Sequence, residues 1–120
     1  MEFYSSRAIY LQIADHLIRE ILSNTLNHGD RIQSVREFAA EIEVNPNTIA
    51  KSYTWLSDKG IIKMQRGIGY FITDSAYDMS VPIMKKQLFD HDIPKMIEKA
   101  TLLNLPIESL IKNYKHEEEK

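Results

Sequence analysis

The chain has no cysteine among its 120 residues. Disulfides and thiolate metal sites are therefore excluded. No apolar run approaches the roughly 18 residues that a membrane-spanning helix needs. The N-terminal stretch "MEFYSSRAIY" lacks a basic start followed by an apolar core. No signal peptide is read there, so a cytoplasmic protein with no membrane partner is expected. Strong charge of either sign is also missing, the net charge being −2. Nucleic-acid binders often carry a basic excess, and the overall balance does not announce one. The stretch from 45 to 72 is only slightly more suggestive, with Lys51, Lys59, Lys63 and Arg66 against Asp58 alone.

What is present fits one small domain with an appendage: 43% of the residues are hydrophobic, enough for a modest core. Over 7–23 the apolar positions Ile9, Leu11, Ile13, Leu17, Ile18, Ile21 and Leu22 settle into spacings of three and four, which predicts a helix. "NTLNHGDRI" breaks that pattern with loop residues. Ser34 and Glu37 then form an S-x-x-E capping box, and Val35, Phe38, Ala39 and Ile42 give a short second helix its buried stripe. Asn45 suits a helix N-cap and Pro46 the first helical position. Ile49, Tyr53 and Leu56 make the apolar face of a third helix, which Gly60 ends. "IIKMQ" and "YFITD" flank "RGIG", a hairpin pattern. Helix, short helix, helix and hairpin in this order, with almost nothing between the second and third helices, is a helix-turn-helix followed by a wing.

The remaining residues are helical again. Met84, Leu88, Met96, Ile97, Ala100 and Leu103 mark one or two helices, with Pro94 starting the second or kinking a continuous one. Asn104 is a left-handed C-cap, and Pro106 opens a last helix carrying Ile107, Leu110 and Ile111, with "KHEEEK" as a frayed end. The expected fold class is α+β, mainly α. A winged helix-turn-helix occupies 1–76 and a short helical dimerisation tail 77–120. The tail stripe of Met84, Leu88, Met96, Ile97, Leu103, Leu110 and Ile111 is too apolar for a solvated appendage, so a homodimer interface is expected there.

The third helix begins "NPNT", more polar than one cap requires. A helix N-terminus exposes unpaired N–H groups and a partial positive charge, and a recognition helix presents that end to the major groove. Asparagine can bond adenine bidentately, and threonine can reach bases or phosphate. On one reading Asn45, Asn47 and Thr48 form a DNA-reading surface. On the other, Asn45 caps and its neighbours are exposed turn residues. Lys51 and Ser52 are read as exposed positions suited to phosphate, Tyr53 as core, and Trp55 as packing on the hairpin or a dimer partner.

The pieces "IYLQIADHL", "GDRIQSVREFA", "VNPNTIAKSYTWL" and "GIIKMQRGIGYFI" together resemble the DNA-binding domain of the GntR family of bacterial transcription regulators, over roughly 7–73. The "NPNT" form with a short helical C-terminus resembles its YtrA subfamily. The resemblance implies a sequence-specific regulator of transcription that binds double-stranded DNA as a homodimer. A repressor on an inverted-repeat operator is expected, in a subfamily that often controls transporter operons. It implies DNA contact from Arg36, Ser34, Asn45, Asn47, Thr48 and Lys51, and from the wing residues Arg66, Gly67 and Gly69. Four positions depart from the family pattern. Gln33 stands for a usual proline, Pro46 for an arginine, Ile68 for a basic wing residue, and Pro106 for a serine cap.

No enzyme signature is found. His16, His28, His91 and His116 lack metal-ligand spacing, with His16 and the "DHD" at 90–92 the nearest approach, and no metal or cofactor is expected. "GIG" is followed by no lysine-serine or lysine-threonine pair, so it is not a nucleotide cradle. Two other classes fit the composition. One is a winged-helix protein-interaction module. The other is a regulator that senses an unidentified small molecule, which would have to bind between protomers because a tail of about forty residues hardly holds a pocket of ordinary size.

Overall fold

The computed structural model describes Met1, Phe3 and residues 7–118, with only the backbone described for 116–118. Helix α1 (Ile9–Leu22) carries the first apolar stripe, and α2 (Val35–Ile42) starts at the capping box. Helix α3 (Pro46–Asp58) follows after three residues, with Pro46 in its first turn. At the turn between α2 and α3, Glu43 takes a left-handed conformation with φ 56°. Only glycine adopts that region freely, so a helix-turn-helix turn built on glutamate stores roughly 1–2 kcal/mol of strain.

Strands β1 (Ile62–Gln65) and β2 (Gly69–Ile72) pair antiparallel, with Ile62 opposite Ile72 and Gln65 opposite Gly69. The loop before α2 adds a short third edge that the sequence pattern does not announce. Arg31 bridges to Phe71, the Ile32 N–H donates to the Tyr70 carbonyl at 3.0 Å, and the Ile72 N–H donates to the Asp30 carbonyl at 2.9 Å. The core lies where α1, α2, α3 and this small sheet meet. Ile13, Ile18, Ile49, Tyr53, Leu56 and Ile61 are completely buried in it. Trp55 packs partly against the same core, so it is engaged within its own unit.

Helix α4 (Ala76–Gln87) runs into a π-helical turn at Leu88–Asp92 and then α5 (Ile93–Leu102). Pro94 stands in the first turn of α5, so of the two expectations it is the start of a second helix that is observed, with a π turn before it. The Ile93 N–H donates to the Leu88 carbonyl five residues back, and the widened turn admits the proline. Asn104 closes α5 with φ 55° before α6 (Ile107–Glu118). That last helix includes most of the expected frayed end, of which residues 119 and 120 lie outside the described residues. Among the described residues no helix is long and apolar enough to cross a membrane.

By internal packing the chain divides into Met1–Met84 and Lys85–Lys120. The division falls eight residues beyond the expected boundary at 76. The reason is that the start of α4 closes the first unit. Ala76 and Ser80 are buried, and Ile83 and Met84 pack against its core. Met84, expected at a dimer interface, is therefore already half-covered by its own chain.

Candidate nucleic-acid interface

The start of α2 is held by reciprocal bonds. The Glu37 N–H donates to Ser34 Oγ at 3.1 Å, and the Ser34 N–H donates to Glu37 Oε1 at 3.2 Å. The Ser34 side chain, and then its backbone N–H, hold the Glu37 carboxyl below its ordinary value, and the charge of Arg31 lowers it further. The Ser34 hydroxyl thus accepts from the Glu37 N–H and also stabilises the Glu37 carboxylate, so its first role is in the cap. Arg36 is exposed in the first turn of α2 and makes no hydrogen bond or ion pair among the described residues. A cation at that end opposes the helix dipole, so local stability does not account for it.

At the start of α3, Asn45 Oδ1 accepts from the Asn47 N–H at 2.8 Å. A bidentate bond to adenine needs both ends of the amide. Capping thus engages one lone pair of Asn45 Oδ1 and restrains that side chain, while the exposed Asn47 side chain keeps both ends free. Thr48 is half-buried beside them. The Lys51 ammonium sits 4.4 Å above the centre of the Tyr10 ring, a cation–π contact that ties α3 to the start of α1. Thr54 is exposed seven residues after Asn47, on the same face as Asn47 and Lys51. It is a candidate contact overlooked in the sequence, although the spacing 47, 51, 54 opposite the apolar stripe marks it.

Ser52 corrects the sequence reading. It is completely buried, on the inward face with Ile49, Tyr53 and Leu56, and cannot reach a phosphate. Its Oγ has no hydrogen-bond partner among the described residues. A buried unpaired hydroxyl destabilises, so Ser52→Ala should leave DNA affinity unchanged and be neutral to about 1 kcal/mol stabilising. Urea unfolding beside a DNA-shift titration measures both, and a loss of affinity in a folded variant would count against this placement. Tyr53, read as core, is core, and its hydroxyl donates to the Gln33 carbonyl at 2.7 Å.

At the wing, Arg66 and Ile68 are exposed, and Gly67 and Gly69 have φ of 78° and 142°. The Ile68 N–H donates to the Gln65 carbonyl at 2.9 Å, which closes the turn. The arrangement leaves Arg36, Lys51, Lys63 and Arg66 as exposed cations on α2, α3 and the wing, with a polar helix start between them in sequence. Among the described residues no group of three or more potential metal ligands is found. His16 instead lies 3.0 Å from Glu20, one turn along α1.

A helix-turn-helix with a capped recognition helix, free arginines and a glycine-built wing defines a winged-helix DNA-binding protein. The family described as "Bacterial regulatory proteins, gntR family" matches residues 9–72, more than half of the chain. The chain belongs to that family, and is a DNA-binding transcription regulator, not an enzyme. It is 35% identical over 114 residues to the HTH-type transcriptional regulator YhcF of Bacillus subtilis, covering 95% of this chain and 93% of that one. It is 34% identical over 106 residues to the HTH-type transcriptional repressor YtrA of the same organism, covering 88% and 81%. The structure of a GntR family transcriptional regulator from Listeria monocytogenes superposes with a TM-score of 0.71 at 33% identity, covering 95% of this chain and 98% of that one.

Proposed function

We propose that the chain is a homodimeric repressor that binds an inverted-repeat operator in the cytoplasm, with a transporter operon as its expected target. The observation that carries the dimer is the apolar surface of the second unit. Leu102 and Leu103 are 75% and 67% exposed, and Leu88, Met96, Ile97 and Ile111 are exposed as well. An open groove of about 440 Å³ in the same unit is lined by Met96, Ala100, Leu103, Leu105 and Leu110 with Asp92, Lys95 and Lys99. Apolar surface gathered in this way marks an interaction site. The tail expectation thus rests on Leu88, Met96, Ile97, Leu103, Leu110 and Ile111 more than on Met84, and Phe89, Leu102 and Leu105 join it. Two-fold symmetry in the protein is mirrored in its DNA site, which supports the inverted repeat. Repression is supported by the likeness to YtrA of Bacillus subtilis, whose name describes a repressor.

On this reading Arg36, Asn47 and Lys51 play different parts. Asn47→Ala or Arg36→Ala should erode the preference for operator over scrambled DNA, by about 1–3 kcal/mol for a good bidentate base contact. Lys51→Ala should weaken both DNAs about equally and make the slope of log K against log salt shallower by roughly one unit. Paired salt titrations of each variant measure this, with footprinting of the wild type to count half-sites. A single asymmetric footprint at saturation would contradict the inverted repeat. Should all three variants bind both DNAs like the wild type, α3 is not the reading head.

A further inference from the structure

The third edge of the wing sheet places an arginine where the sequence shows only a loop. In an antiparallel sheet, residues opposite each other share a face. Ile62 and Ile72 face the core, so Lys63, Phe71 and Arg31 form a row on the other face. The Arg31 side chain runs along that face toward the wing turn and lies over Gly69. A Cβ on Gly69 would sit 2.9 Å from Arg31 Nε and 3.5 Å from Nη2. Glycine is favoured there by φ of 142°, and the absent Cβ leaves room for the guanidinium to lie over the turn. Gln65 pairs with Gly69 at the base of the turn that carries Arg66, so the guanidinium is brought to the root of the wing tip.

The same guanidinium is close enough to the first turn of α2 to lower the pKa of Glu37, yet among the described residues it makes no hydrogen bond or ion pair. A residue serving only to clamp the wing to α2 would be expected to close that ion pair. Arg31 is instead exposed, with its side-chain donors unspent. An exposed, unpaired guanidinium beside the wing turn presents its full fork of donors to a phosphate, which it can bind bidentately.

We propose that Arg31 is a further DNA ligand, binding a backbone phosphate between the start of α2 and the wing. The proposal rests on the DNA-reading role of α3 and the wing. The test uses the full chain with two duplexes. One is recovered from a random-sequence pool by the wild-type protein, and the other is its scrambled counterpart. Arg31→Gln should weaken both about equally, by roughly tenfold at 0.1 M salt, and make the salt slope shallower by about one unit. Arg31→Lys keeps the charge and should retain most of the slope. Thermal unfolding of both variants should match the wild type, since the side chain is exposed. An unchanged slope in folded Arg31→Gln would overturn the proposal and leave a packing role. So would a loss confined to the selected duplex, which means base contact. If the wild type recovers no duplex from the pool, the DNA-reading role itself falls, a result distinct from loss in the variant alone.

Discussion

Tyr53→Ala should destabilise this protein by about 3–5 kcal/mol, a large part of the 5–15 kcal/mol that holds a typical domain folded. Tyr53 is completely buried at the centre of the first unit. Its ring stands edge-on to Tyr70 at 4.9 Å and lies 6.5 Å from Phe38, so one side chain joins α3 to α2 and to the wing. Tyr53→Phe keeps the rings and loses only the bond to the Gln33 carbonyl, for roughly 1 kcal/mol, the usual net worth of one such bond. Burial, first, and then the neighbouring Tyr70 and Glu37 push the Tyr53 hydroxyl above its ordinary value of 10.0. Its contribution is therefore complete below that pH and lost as the pH rises through the higher folded value, because the unfolded chain releases the proton first. Urea unfolding followed by the one tryptophan, Trp55, half-buried at the edge of this core, measures all three effects. A Tyr53→Ala loss near that of Tyr53→Phe would mean that the rings do not knit the three elements together.

Ending the chain after Met84 should yield a folded monomer whose affinity for an inverted-repeat operator is lower by about 10²–10⁴-fold. That is the range lost when two linked half-site contacts become independent. The cut belongs after Met84 and not after 76, since Ala76, Ser80, Ile83 and Met84 still cover the first unit. Light scattering gives the oligomeric state, and a titration with operator and half-site duplexes gives the affinity. The truncated chain should bind one half-site about as well as each protomer of the full chain does. A truncated chain that stays dimeric would place the interface in the first unit and remove the role proposed for Leu88, Met96, Leu103 and Ile111.

Much of this protein was decided by neighbours along the chain, and these parts were legible without coordinates. A capping box needs only Ser34 and Glu37 three residues apart, and the structure forms both of its bonds. Asn45 before Pro46 is a local steric preference and became the cap of α3. Gly60 and Gly67 stand where backbones of positive φ end a helix and turn a hairpin. Such features settle the order of elements, and with it the winged helix-turn-helix. Only tertiary structure decided which side chains remain available to DNA. Helical periodicity says which residues share a face, but the width of the buried arc depends on what packs against it. With α1 laid along α3, that arc takes in Ser52 and leaves Asn47 and Thr54 outside. Asn45 is on the polar end as expected, yet capping engages one lone pair of its Oδ1. Arg31 lies in a loop by every local sign, and it acquires a place beside the wing only because a pairing across about forty residues of chain brings it to Phe71 and Gly69. The extent of the first unit is long-range for the same reason. Nothing near residue 76 ends a domain, because the core still needs Ala76, Ser80 and Met84 to exclude water.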